Sequence, residues 1–132
     1  MDEKALKSIP LFASLSKSER RQVASSTDEV ELTEGEVLVN EGDFAYEFFI
    51  IEEGTAEVLR DGKHVAELGP GDFLGEIGAI EKTQRNASVV AASPMRVVVM
   101  TARDLRHIDH EMPAVAQQIR DAIAARSEVL VS

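Results

Sequence analysis

The stretch EFFIIEEGTAEVLRDGKHVAEL, residues 47–68, decides the fold because it alternates between strand-forming runs and tight turns. The three runs rich in apolar and β-branched residues are Glu47–Glu52, Thr55–Arg60 and His64–Leu68. Asp61 and Gly62 separate the last two runs, and an Asp-Gly pair is typical of a two-residue hairpin because both residues tolerate a positive φ. The stretch therefore predicts three consecutive antiparallel strands.

The same pattern continues on both sides of this stretch. Four more short runs with a period of two are Glu29–Thr33, Val37–Asn40, Ala87–Ala91 and Met95–Thr101. Turn residues stand between the runs, at Glu34-Gly35, Glu41-Gly42-Asp43 and Gly69-Pro70-Gly71. Short strands at regular spacing, with no long helix between them, predict an antiparallel β-barrel or sandwich over residues 27–101.

Both ends of the chain are predicted to be helical. A first helix is expected around Asp2 to Lys7, and a second begins after Ser16, because Ser16 and Glu19 have the spacing of a capping box. Residues 1–26 would thus be N-terminal helices, residues 27–101 the barrel and residues 102–132 C-terminal helices, all in a single domain of 132 residues.

The C-terminal part is expected to hold two helices. Thr101 and Asp104 cap the first, which we expect to end at His107 or Ile108, and Pro113 stands near the start of a longer one. The apolar residues on one face of the longer helix are Met112, Val115, Ile119, Ile123 and Leu130. Such a stripe favours packing against the barrel or a twin subunit over a role as a ligand cap.

Composition excludes several classes of protein. The formal net charge of -10 argues against a nucleic-acid surface, because phosphate contacts need a concentrated basic patch. The chain has no cysteine, which excludes disulfides and thiolate metal sites. No apolar run approaches membrane-spanning length, and the N-terminus lacks the apolar core of a signal peptide. We therefore expect a cytoplasmic protein that contacts neither membrane nor nucleic acid.

One stretch departs from the strand pattern: GDFLGEIGAIEKTQRNASV, Gly71–Val89. Gly75 and Gly78 allow a ligand to approach the backbone, and a short helix beginning near Glu76 presents unpaired amides that suit an anion. Arg85 adds a cation whose planar guanidinium forms charge-assisted bonds to phosphate. Glu76 would repel a phosphate, so it suits a neighbouring sugar hydroxyl. The stretch predicts a ribose-phosphate site, although an internal Glu76–Arg85 salt bridge fits the same residues.

These motifs resemble the cyclic nucleotide-binding domain of bacterial cAMP receptor transcription factors, protein kinase A regulatory subunits and cyclic-nucleotide-gated channels. The matching segments are IPLFASLS (9–16), the glycine-punctuated strands from Gly35 to Gly71, FLGEIGAI (73–80) and RNASV (85–89), so the resemblance covers nearly the whole chain. It implies an antiparallel jelly-roll β-barrel, also called a double-stranded β-helix. It further implies N-terminal helices, a short phosphate-binding-cassette helix and two C-terminal helices.

The resemblance also implies residue roles. The ligand-binding residues expected from it are Gly75, Glu76, Ile77, Gly78, Arg85, Asn86, Ala87 and Ser88. In the family, the acid matching Glu76 accepts a hydrogen bond from the ribose 2′-hydroxyl. The arginine matching Arg85 pairs with the cyclic phosphate, helped by the backbone around the next two residues. Asn86 departs from the small or hydroxylated residue common in relatives, which leaves the choice between cAMP and cGMP open.

In relatives the purine is covered by the last helix, sometimes from a partner subunit. Leu130 or Val131 is the apolar lid that this resemblance implies here. Relatives that regulate transcription carry a DNA-binding helix-turn-helix after this helix, whereas the present sequence ends at Ser132. We expect either a stand-alone module or a fragment whose effector domain follows.

We interpret the chain as a non-enzymatic sensor of a 3′,5′-cyclic nucleotide, with cAMP expected, cGMP the alternative, and no cofactor or metal. Ligand binding is expected to change the packing of the C-terminal helices against an effector or a second copy of the chain. One alternative is a degenerate domain that acts as a protein-interaction scaffold. Another is a cupin-like enzyme, which would need clustered strand histidines, whereas His64 is the only strand histidine. His107, His110 and Glu111 form no complete metal motif.

Overall fold

The computed structural model describes residues 3–9, 12–44, 47–74 and 84–124, and omits the side chains of 119 and 122–124. The helices are α1 (Glu3–Lys7), α2 (Lys17–Ala24), α3 (Ala102–Glu111) and α4 (Pro113–Ala124). The strands are β1 (Asp28–Leu32), β2 (Val37–Val39), β3 (Glu47–Glu53), β4 (Ala56–Arg60), β5 (Lys63–Leu68), β6 (Phe73–Leu74), β7 (Ser88–Ala91) and β8 (Met95–Thr101). The predicted cassette helix lies outside these residues. None of the helices in the described ranges is long and apolar enough to cross a membrane.

The strands form two four-stranded antiparallel sheets. The first sheet has the order β1-β8-β3-β6 and the second has the order β2-β7-β4-β5. The chain alternates between the two sheets from strand to strand, except at β4 and β5, which are consecutive neighbours in the second sheet. This arrangement confirms the predicted mainly β jelly-roll architecture with flanking helices.

The predicted hairpin joins β4 and β5. Asp61 and Gly62 have φ angles of 54° and 76°, so both residues lie in the left-handed region that a two-residue hairpin turn requires. Gly54, at the crossing between the sheets, also has a positive φ of 88°. An added Cβ there would lie 2.3 Å from the backbone oxygen of Pro94. The sheets can therefore approach at this corner only because residue 54 has no side chain.

Two hydrophobic clusters lie on opposite faces of the first sheet. In β3, Phe49 and Ile51 point between the sheets, while Phe48 and Ile50 face the helices. This explains why β3 is apolar at four successive positions, since a strand buried on both faces does not alternate with polar residues. The helix-facing cluster joins both ends of the chain to the sheet. Its helical and N-terminal members are Leu6, Ile9, Phe12, Leu15, Val23, Ala24, Ile108, Val115 and Ala116.

Side-chain caps begin the two helices where the sequence predicts them. Ser16 accepts a hydrogen bond from the amide of Glu19, and Thr101 accepts one from the amide of Asp104. The side chain of each acid in turn accepts a hydrogen bond from the backbone amide of its cap residue. Helix α3 runs to Glu111, three residues beyond Ile108, the later of the two expected ends. The residue before a proline is disfavoured in helical conformation, and Met112 before Pro113 has φ -136° and ψ 65°, so the proline rather than Ile108 ends the helix.

The sequence did not predict strand β6. Phe73 and Leu74 pair with Ile50 and Phe49 as the short strand β6. Two residues are too few to show a period of two, and the sequence signal of this region is dominated by the glycines around it. The pairing brings Phe73 against Phe48, with ring centroids 6.0 Å apart and planes at 83°. Strand β6 thus carries the chain into the cassette segment from a position packed against β3.

Candidate functional site

Arg85 is a buried cation just before β7. Only 5% of it is exposed, and its Nη2 atom donates a hydrogen bond to the backbone oxygen of Glu47 at 2.5 Å. Its Cζ atom lies 6.0 Å from the centroid of the Phe49 ring, within the range of a cation–π contact. Strand β3 therefore positions the guanidinium through both a carbonyl and an aromatic face.

The backbone of Arg85 is held by the loop between β2 and β3. Its amide donates to the oxygen of Asp43 at 2.7 Å, and its oxygen accepts from the amide of Gly42 at 2.9 Å. Phe44 and Gln84 form an isolated antiparallel bridge beside these bonds. Gly42 has a φ of 90°, a conformation that glycine adopts at little cost. The turn predicted from Glu41-Gly42-Asp43 thus has a second role, since it fixes the position of Arg85.

A cavity of about 340 Å³ has Arg85 as part of its wall. Its walls are Leu38, Val39, Asn40, Asp43, Phe44, Glu47 and Arg85. Small-molecule sites are typically concave and largely apolar, with a few polar groups that orient the ligand. Leu38, Val39 and Phe44 supply apolar surface here, and Arg85 supplies the cation. An anion in this cavity would gain the charge-assisted hydrogen bonds that a planar guanidinium forms with phosphate.

The residues that follow Arg85 hold the site in place. The backbone oxygen of Asn86 accepts a bond from Arg60 Nε at 3.2 Å, and the side chain of Asn86 is exposed. Ala87 is fully buried between the sheets. The hydroxyl of Ser88 accepts a bond from the amide of Glu41 at 2.8 Å. Of the four predicted residues from 85 to 88, only Arg85 lines the cavity.

Six predicted site residues lie outside the described part of the chain. They are Gly75, Glu76, Ile77, Gly78, Leu130 and Val131. Their assignments, and the alternative Glu76–Arg85 salt bridge, remain predictions. The structure adds residues that sequence reasoning missed, because the backbone oxygen of Glu47 and the ring of Phe49 come from a strand far away in sequence. Phe44 had a weak signal, an aromatic residue directly after the Glu41-Gly42-Asp43 turn.

The histidines do not form a metal site in the ranges that the structure covers. No three histidine, cysteine or acidic side chains converge there on a point that could hold an ion. His107 and His110 lie exposed on α3, and His110 Nε2 is 3.8 Å from Glu111 Oε1. His64 pairs with Glu57 at 3.0 Å on the outer face of the second sheet. These positions agree with the interpretation of the histidines as surface residues.

An unusual carboxyl group lies elsewhere, at the irregular end of β3. Burial, together with a hydrogen bond and charge repulsion from Glu29, raises the pKa of Glu52 to about 7. The Oε1 atom of Glu52 is buried and has no hydrogen-bond partner among the residues that the structure describes. A small cavity of about 160 Å³, which also touches Ser8 and Ile9, lies beside this residue. Glu52 thus lies between the carboxylate of Glu29 on β1 and a cavity that the N-terminal segment also lines.

Known proteins share this fold and these sequence motifs. The family model for the Cyclic nucleotide-binding domain matches residues 29–110. The chain is 35% identical over 96 residues to a cAMP-dependent protein kinase regulatory subunit of Schizosaccharomyces pombe, with 72% of this chain and 23% of the relative covered. The regulatory subunit of Mycosarcoma maydis is 37% identical over 110 residues, with 76% and 21% covered. The chain therefore spans about a fifth of the length of these curated relatives.

A solved structure extends the comparison to the whole fold. The N-terminal domain of a transcriptional regulator from Streptomyces coelicolor A3(2) superposes with a TM-score of 0.77 and 28% identity. The match covers 92% of this chain and 91% of that domain. Because the family model spans more than half of the sequence and the fold agrees over nearly all of it, this chain belongs to the cyclic nucleotide-binding domain family.

Proposed function

We propose that this chain binds a 3′,5′-cyclic nucleotide, cAMP in preference to cGMP, as a non-enzymatic regulatory module. The observation that carries the proposal is the buried guanidinium of Arg85, which lines a cavity and is oriented by Glu47 and Phe49. A guanidinium held in advance loses little conformational freedom when it binds a phosphate, so most of the contact energy contributes to affinity. The relatives named as cAMP-dependent kinase subunits support cAMP as the ligand.

The cassette residues complete the proposed site. Glu76 would accept a hydrogen bond from the ribose, and the amides of Gly75, Ile77 and Gly78 would lie near the sugar, on the basis of the family motif. Asn86, Ala87 and Ser88 would support the phosphate contact through their backbone. Arg85 then binds the phosphate against the chain's net charge of -10, which disfavours anions at long range. Local hydrogen bonds must therefore supply the affinity.

Strand β3 offers a physical connection from the site to the C-terminal helices. Phe49 lies beneath Arg85, and its neighbours Phe48 and Ile50 belong to the cluster that contains Ile108 of α3 and Val115 of α4. We propose that ligand capture changes how these helices pack. A ligand can do so only if it binds one helical arrangement more tightly than the other. The output would be an effector domain or protein, or a second copy of the chain that contacts the last helix.

Calorimetric titration with cAMP, cGMP and linear 5′-AMP tests the ligand. We expect Arg85→Ala to weaken cAMP binding by about tenfold to a hundredfold, because it removes a charged hydrogen bond worth roughly 1.5–3 kcal/mol. Arg85→Lys keeps the charge but loses the planar fork, so it should restore only part of the affinity. Arg120→Ala is the matched control, since it removes the same charge from an exposed position on α4.

Two outcomes would contradict the proposal. Absence of binding by the wild-type chain to either cyclic nucleotide would favour the scaffold alternative. Equal affinity of the Arg85→Ala and Arg120→Ala variants would remove Arg85 from the site. Hydrogen exchange of α3 and α4 with and without cAMP tests the helical response separately, and unchanged protection would exclude that part alone.

A further inference from the structure

Phe44 is an exposed aromatic side chain at the opening of the Arg85 cavity. It is 61% exposed, more than any other large apolar side chain in the described ranges. The exposed valines at positions 30, 37 and 65 lie on strands, where a half-exposed face is ordinary. Phe44 lies instead in the β2–β3 loop and lines the same cavity as Arg85. An aromatic residue exposed at the edge of a polar cavity is suited to contact with a ligand.

The backbone places Phe44 next to the cation. Phe44 bridges to Gln84, the residue before Arg85, and Asp43 accepts the amide hydrogen of Arg85 at 2.7 Å. The ring is therefore attached to the same short ladder that positions the guanidinium. Arg85 is the buried member of this pair and Phe44 the exposed one.

We infer that Phe44 is a ligand-binding residue that covers the sugar-phosphate end of the bound nucleotide and excludes water from its contact with Arg85. This inference rests on the proposed function. A charged hydrogen bond is weakened by water and salt, and an apolar ring placed over it lowers the local dielectric constant. The ring itself gains by removing apolar surface from water. Asp43 and Glu47 also line the cavity, so a phosphate there depends strongly on its contact with Arg85.

Removal of the Phe44 ring should change both the affinity for cAMP and the rate at which cAMP dissociates. Phe44→Ala should weaken cAMP binding by about fivefold to thirtyfold, mainly through faster dissociation, because the cover acts after the nucleotide has entered. Affinity of this variant should also fall more steeply than that of the wild type between about 50 and about 500 mM NaCl, since salt reaches an uncovered ion pair. Phe44→Leu keeps an apolar cover and should retain most of the affinity.

Calorimetry and stopped-flow dissociation of cAMP measure these quantities. Val65→Ala is the control, because Val65 is also exposed, at 41%, but lies on β5 and does not line the cavity. Both substitutions remove exposed apolar surface, so both variants are expected to fold. Urea unfolding of each variant checks this directly.

The outcomes separate this inference from the function on which it rests. In one outcome, Arg85→Ala loses affinity for cAMP while Phe44→Ala binds as the wild type does at both salt concentrations. This result would overturn the role of Phe44 but leave the proposed function unaffected. Equal weakening by Phe44→Ala and Val65→Ala would also overturn it. A wild-type chain that binds no cyclic nucleotide would remove both proposals.

Discussion

Gly54→Ala should destabilise the protein much more than Gly35→Ala, although the two glycines have nearly the same φ angle. Their φ angles are 88° and 92°, so each substitution forces an L-residue to adopt a positive φ, which costs about 1–2 kcal/mol. An alanine Cβ at position 35 meets no atom within 4 Å. The comparison therefore isolates the effect of close packing at position 54.

At Gly54 an added Cβ would lie 2.3 Å from the Pro94 oxygen and 2.9 Å from the Met95 Cα. Both are backbone atoms, so no side-chain rotation relieves the contact. The chain segments around Gly54 and Pro94, which pass between the two sheets, would have to move apart. This movement would strain the hydrogen bond of 3.0 Å that the Thr55 amide donates to Ser93 Oγ. Overpacking of this kind costs about 1–3 kcal/mol. Added to the backbone cost, this gives a loss of about 2–5 kcal/mol for Gly54→Ala.

Urea unfolding followed by circular dichroism measures the difference. A loss of 2–5 kcal/mol is large against a typical stability of about 5–15 kcal/mol, so the unfolding midpoint of Gly54→Ala should fall well below that of Gly35→Ala. A Gly54→Ala chain that is already unfolded in buffer would also agree with the prediction. Equal midpoints for the two variants, with equal slopes, would refute the argument from the sheet crossing.

Two further predictions concern charged groups away from the cavity. Glu52 has a pKa of about 7 in the folded state, against an ordinary value of 4.5. Between pH 4.5 and pH 7 the native state therefore binds more protons than the unfolded state, so the free energy of unfolding should fall as the pH rises through this range. Glu52→Gln should remove this loss of stability, and melting temperatures of the variant and the wild type at about pH 5 and about pH 8 measure it. An equal change in melting temperature between the two pH values for both proteins would contradict the prediction. Arg20 is buried and bonds Glu3 Oε1 at 2.8 Å and the Leu15 oxygen, so Arg20→Met should cost about 2–4 kcal/mol in urea unfolding. Exposed Arg21→Met is its control, expected within about 0.5 kcal/mol, and similar losses for both would exclude a specific role for Arg20.

Local elements of this fold could be predicted because their signals lie within a few residues. The Asp61-Gly62 hairpin depends on two residues that accept a positive φ. The capping boxes at Ser16 and Thr101 depend on an acid three positions later. The period of two in β4 and β7 reflects one face turned inward. In each case the physical cause and the pattern that reveals it occupy the same short segment.

Elements without such a pattern could not be predicted. Strand β6 has two residues and exists because β3 offers it a free edge. The sequence pattern predicts the end of α3 too early, because the apolar periodicity stops before the position where Pro113 forces Met112 out of helical conformation. The order of strands in the two sheets depends on pairings between distant segments, which no local period contains.

The sequence by itself determined seven of the eight strands in the described ranges, the turns, the caps and the choice of Arg85 as a site residue. Each of these depends on neighbouring residues or on a motif that the family shares. Only the tertiary structure decided that Arg85 is buried, oriented by Glu47 and Phe49, and beside Phe44. The hydrogen bond from Arg85 to Glu47 joins residues 38 positions apart. Such contacts arise from how the sheets close on each other, and that closure is a property of the whole chain.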